Sequence, residues 1–180
     1  MSPTPAPDLT DFDQVIASLR RGDFSMLDPL FDAPPNVATS PLATWVKTGR
    51  FSTAASALNE ALACACFNGR TTWVHYLLAH GANLEASNGT GLNGLHWAAN
   101  RGHPETVQAL LAQHPNLESQ NAYGGTVLSA TVWAAVHEPK PAHLAIVEAL
   151  LAAGADVQAV DFPSGHWEVD QLLQNAGARP

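Results

Sequence analysis

Histidine and cysteine have the most scope for chemistry in this chain, which carries eight of the first and two of the second. His137-Glu138-Pro139-Lys140-Pro141-Ala142-His143 has the order of a metal segment: imidazole, carboxylate, imidazole. Its spacing is wrong, because two ligands share a helical face at i, i+4. Pro139 and Pro141 also interrupt any helix there. The segment is therefore expected to be a solvated loop without a metal. Cys64 and Cys66, two apart, point to different faces of a helix and are poor disulfide partners. Neither has a neighbouring base that would make it a nucleophile. Asn88-Gly89-Thr90-Gly91 has the glycine content of a phosphate loop but lacks the Lys-Ser/Thr that would follow. It and Tyr123-Gly124-Gly125 read as turns. No Ser/His/Asp grouping has a supporting motif. The expectation is a protein that is not an enzyme and has no cofactor.

The elements that position these residues follow a repeat. Gly69 is followed by Val74, Leu77-Leu78 and Gly81-Ala82. Gly102 is followed by Val107, Leu110-Leu111 and His114-Pro115, 33 residues further on. A period of that length, holding a helix pair, is the mark of a helical solenoid. Leu95, Ala98 and Ala99 put small apolar side chains on one helical face, so a second helix can lie close. Gly102 ends the first helix in the left-handed conformation. Pro104 and Glu105 suit the first turn of the next, and Val107, Leu110 and Leu111 return at helical spacing to cover the first.

The run Gly91-Leu92-Asn93-Gly94-Leu95-His96-Trp97-Ala98-Ala99-Asn100-Arg101-Gly102-His103 resembles the ankyrin repeat, G-x-T-P-L-H-x-A-A-x-x-G-H followed by V-x-x-L-L and G-A. Asn93-Gly94 stands where the motif has Thr-Pro, a departure expected to weaken the usual hydroxyl–histidine bridge between repeats. Degenerate copies lie outward. Asn59-Glu60-Ala61-Leu62-Ala63 opens one. Gly124-Gly125-Thr126-Val127-Leu128-Ser129 opens another, which closes with Val147, Leu150-Leu151 and Gly154-Ala155-Asp156 after an insertion of about seven residues placed at 136–141. Val169, Leu172-Leu173 and Gly177-Ala178 read as a lone capping helix. The resemblance implies an all-α repeat solenoid, an ankyrin stack of helix-turn-helix units joined by short hairpin loops. The expected organisation is a disordered Pro-rich arm at 1–9, a degenerate N-terminal capping helix pair at 10–31 with Thr10 or Asp11 as cap, an irregular insert at 32–54, and repeats with a C-terminal cap at 55–178. Pro41 to Ala57 is expected to be partly helical, with Trp45 folding back over the stack.

Composition limits function further. Sixteen acidic residues stand against eight basic ones, a formal charge of −8. Nucleic-acid binding needs clustered Lys and Arg, and here they are scattered. No apolar run approaches a membrane span, and the N-terminus lacks the features of a secretory signal. Two thiols without a disulfide framework suit a reducing cytoplasm.

The resemblance implies that inner helices and hairpin tips form a concave face that grips another protein. The register places Phe67, Asn68, Asn100, Arg101 and Trp133 near the ends of the inner helices. It places Trp97 beside the motif histidine, and Thr90, Leu92 and Tyr123 on the tips. These nine are the expected partner-binding residues, and aromatics and Arg are enriched at binding hot spots. The competing reading buries Trp97 and Trp133 between helices. His96 and His103 hold family structural positions. The leading expectation is a cytoplasmic protein-binding module, monomeric when free. The alternatives are an acidic inhibitor, antitoxin or immunity-type partner of a basic enzyme, a homo-oligomer, or, least favoured, a metal-dependent enzyme.

Overall fold

The computed structural model describes residues 12–19, 21, 23–31, 40–53, 55–87 and 89–179. The expected Pro-rich arm, the capping positions Thr10 and Asp11, Gly22 and the stretch around Pro34-Pro35 lie outside them. Among the described residues all regular structure is helical and no strand occurs. Among them, too, no helix is long and apolar enough to cross a membrane. The chain divides into two compact units, Met1–Asn83 and Leu84–Pro180.

The first unit holds α1 (Phe12–Leu19), α2 (Asp28–Phe31), α3 (Pro41–Lys47), a 3-10 turn (Arg50–Thr53), α4 (Ala55–Phe67) and α5 (Thr71–Ala79). Ser40 starts α3 by accepting the Ala43 N–H at 3.0 Å, with Pro41 at the first helical position, where its missing N–H costs nothing. This helix makes part of the 32–54 insert regular. It also buries Trp45, whose ring meets Phe12 edge-on at 5.1 Å, while Phe51 meets Phe12 at 5.3 Å. Phe31 packs on Trp73, and the Trp73 indole donates to the Phe31 carbonyl at 3.2 Å. Helix α4 runs straight through Glu60, the position that begins the inner helix in the next repeat. Glu60 therefore caps nothing, and partial burial raises its carboxyl above the ordinary value.

The second unit holds α6 (Gly94–Arg101), α7 (Pro104–Leu111), α8 (Val127–His137), α9 (His143–Ala152), a 3-10 turn (Val157–Ala159) and α10 (Trp167–Asn175). Leu95, Ala98, Ala99, Val107, Leu110, Leu128, Ile146, Val147, Leu150, Val169 and Leu173 are buried at the helical spacing of the repeat. Helix α6 packs on α7 and α8, α8 on α9, and α9 on α10. The inserted residues do not form a loop alone, as the sequence reading had them. Helix α8 continues through Val136 and His137 before Pro139 stops it, so part of the insertion is an extra helical turn and only Glu138–Ala142 is loop.

Outer helices end alike. The N–H of Ala82 returns to the Leu77 carbonyl at 3.0 Å, that of Ala155 to Leu150 at 3.0 Å, and that of Ala178 to Leu173 at 2.9 Å. Each follows a glycine at positive φ, the arrangement that closes a helix without strain. The repeat between them breaks the rule twice. His114 takes the left-handed position at φ 54°, and Pro115 has no N–H to return.

His114 is exposed, so replacing it removes strain and no packing. His114→Gly is expected to raise stability by about 0.5–1 kcal/mol, the left-handed penalty less the flexibility glycine adds to the unfolded chain. Thermal unfolding reads this as a higher midpoint, and an unchanged or lower midpoint counts against it.

Candidate functional site

Asn93 does the work that Thr does in the motif. Its side-chain oxygen accepts the His96 N–H at 3.1 Å, while the Asn93 N–H points to the His96 ring at 3.4 Å, a reciprocal cap at the start of α6. The carboxamide thus replaces the hydroxyl as the cap acceptor, and His96 Nδ1 lies 2.8 Å from Asn93 Oδ1 within the same repeat. Burial holds the His96 imidazole below its ordinary pKa, and the Gly125 backbone opposes that shift. In the next repeat Thr126 is the cap, accepting from the Ser129 N–H at 3.3 Å, with Ser129 in the histidine position.

The hairpin tips lock together through backbone. The Ala122 N–H donates to the Thr90 carbonyl at 2.9 Å. Gly91, at φ 73°, sits so near that a Cβ there would lie 2.5 Å from the Ala122 nitrogen. The second tip is shaped by Asn121, whose side-chain oxygen accepts from Tyr123 N–H at 2.9 Å and Gly125 N–H at 3.0 Å. This turn thrusts Tyr123 into solvent, 92% exposed. On the connector side, the Glu85 carboxylate accepts from the Asn116 N–H at 2.8 Å and the Ser119 hydroxyl at 3.1 Å. Glu118, one period later, accepts from the Asp156 N–H at 2.8 Å.

Between the second tip, helix α8 and the segment after Val157–Ala159 lies an open groove of about 840 Å³. Leu92, Asn100, Tyr123 and Trp133 line it, as do Val136, His137, Val160, Asp161 and Pro163. Trp133 is 55% exposed, which decides against burying it between helices. Its ring stacks on His137 at 4.7 Å and 16°, and His137 Nδ1 lies 2.9 Å from the Trp133 carbonyl oxygen. Of the other expected residues, Thr90 and Arg101 are exposed and Trp97 is half-buried. Phe67 and Asn68 belong to the first unit. Phe67 packs edge-on to Phe24 at 5.6 Å, and the Asn68 amide donates to the Cys64 carbonyl at 3.1 Å. Sequence reasoning missed Val136, His137, Val160, Asp161 and Pro163. The insertion was the signal for the first two, read as loop instead of helix.

His143 is not in a solvated loop. It stands where His103 stands one repeat earlier, and it is buried. Its Nδ1 accepts the Lys140 N–H at 3.1 Å, and its Nε2 faces the Asn100 carbonyl at 3.1 Å. It is a neutral clamp between the loop before α9 and the end of α6. Burial, chiefly, keeps its pKa below the ordinary value. Among the described residues no group of three His, Cys, Asp or Glu is placed to hold a metal. Cys64 and Cys66 are fully buried, and burial drives both thiols far up, with Asp28 adding to the effect at Cys64. Ser164, His166 and Asp170 have the residue types of a nucleophilic triad, but their bonds run through backbone. Ser164 Oγ accepts the His166 N–H at 3.2 Å, and Asp170 accepts the Ser164 N–H at 2.7 Å. The serine is held by a turn and has no base.

A family model described as ankyrin repeats, in three copies, matches residues 16–121 and, again, 61–161.

Two measurements follow from these environments. Native protein treated with a thiol reagent is expected to leave Cys64 and Cys66 unmodified until denaturant is added; rapid titration of either in the native state would contradict their burial. Stability is expected to fall as pH drops from about 7.5 to about 5, because the unfolded chain takes up protons on His96 and His143 that the folded chain resists. His143→Gln, which keeps an N–H toward Asn100, is expected to flatten that dependence. A slope equal to that of the unaltered protein would remove His143 from the account.

Proposed function

This chain belongs to the ankyrin-repeat family, and on that premise we propose that it binds a partner protein through the groove built from α8, the second hairpin tip and the segment after Val157–Ala159. Ankyrin repeats are generally protein-interaction modules, and the family is typically not enzymatic. The observation that carries the reading is the exposure of two large aromatics, Tyr123 and Trp133, on one groove. Large exposed apolar side chains are costly to keep in water, and aromatics are the commonest binding anchors. Leu92, before α6, and Asn100, near its end, extend the surface, and the exposed Thr90 and Arg101 lie close by in the chain. Trp97, half-buried, does not line this groove. Phe67 and Asn68 are not among the residues that line this groove. The protein acts as a non-enzymatic adaptor, monomeric when free, in a reducing cytoplasm that suits its two free thiols.

The test is affinity capture from native extract with the intact protein beside a Tyr123→Ala/Trp133→Ala variant of unchanged melting midpoint. A protein recovered by the first and depleted at least about tenfold by the second is the expected result. Equal recovery by both would place the interface elsewhere.

A further inference from the structure

Charge in the second unit is uneven. Residues 84–180 carry nine Asp or Glu against Arg101, Lys140 and Arg179. Among the residues lining the groove, none is Lys or Arg, and Asp161, exposed, is the one carboxylate. The groove therefore offers two aromatic side chains and one anion in an acidic unit. A negative partner would be repelled. A neutral apolar partner would leave Asp161 to be desolvated unpaired, which is unfavourable. A cation meets each feature: the faces of Trp and Tyr attract it, the carboxylate pairs with it, and the surrounding charge steers it in.

Arginine fits this set better than lysine. Its planar guanidinium stacks on an aromatic ring while its N–H groups reach a carboxylate. The platform is also fixed before binding. His137 stacks on Trp133 and is tied to the Trp133 carbonyl, so the indole has less freedom to lose when a ligand arrives. His137 is there because the insertion lengthens α8 by a turn.

We infer that the groove accepts an arginine-bearing segment of a partner protein, with the guanidinium against Trp133 or Tyr123 and paired with Asp161. This rests on the groove being the binding surface, as proposed above, and deepens that reading by naming the chemistry of the occupant.

Short random peptides displayed on phage, selected on the intact protein and counter-selected on a Trp133→Ala/Tyr123→Ala variant, test both levels separately. An Asp161→Asn variant is carried alongside, and circular dichroism and melting confirm that each variant is folded. The expected result is enrichment of arginine in peptides that the aromatic variant does not retain. Replacing that arginine by neutral citrulline, or using Asp161→Asn, then weakens binding by about tenfold or more. Peptides that need the aromatics but show no arginine enrichment would overturn the cationic occupant and leave the groove standing. Peptides enriched in arginine but indifferent to Asp161→Asn and citrulline would overturn the pairing. No peptide that distinguishes the intact protein from the aromatic variant would overturn the groove and this inference with it.

Discussion

A backbone group that leaves one repeat must find its partner in the next. Within residues 84–180 that constraint governs the structure. The amide of Asn116 rests on Glu85, that of Asp156 on Glu118, that of Ala122 on the Thr90 carbonyl, and the Asn100 carbonyl faces His143. Most of these bonds lie at the surface and only the Asn100–His143 contact is partly buried, but each gives a backbone group of one repeat a fixed partner in its neighbour. The helices could bury apolar faces in several registers. These bonds select one, and they carry the hairpin tips and inner helices into place together. The groove is a by-product of that register.

The same bonds explain what the sequence made legible. Gly102, Val107, Leu110 and Leu111 announce the outer helix, because each position has one physical job and few residues can do it. Asn93 announced less. Its departure from Thr-Pro pointed to a weakened bridge between repeats and left unread that a carboxamide can serve as the helix cap, accepting the His96 N–H at 3.1 Å. The tip residues Tyr123 and Leu92 were readable from register, and so was Trp133. Asp161 and Pro163 were not, since the chain after Val157–Ala159 has no periodicity to follow. Trp97 and Trp133 sit at different positions of the inner helix, beside the motif histidine and near the helix end, and accordingly one is half-buried and the other mostly exposed.

His137 and His143 make a second case. In the sequence they flank two prolines and read as one loop. In the structure they have opposite environments. One stacks on Trp133 in solvent, and the other is buried between helices and holds two backbone groups. Proline at 139 ends a helix, but it says nothing of how far the helix has already run. For His143 the deciding acceptor is the Asn100 carbonyl, 43 positions away, whereas His137 is held by Trp133, four positions away.

The insertion has a consequence for how such a surface can change. From Glu85 to Asn116 the bonded pair spans 31 residues, and from Glu118 to Asp156 it spans 38, yet both bonds are 2.8 Å long. The additional residues are absorbed at the C-terminal end of α8 and in the loop that leads to α9. Each residue added to that helix lengthens it by about 1.5 Å. The depth of the groove wall can thus be altered in small steps at one point in the chain while the stack keeps its spacing. Recognition and stability are then separately adjustable, and a new ligand can be reached by growth of one helix end with no change in the core.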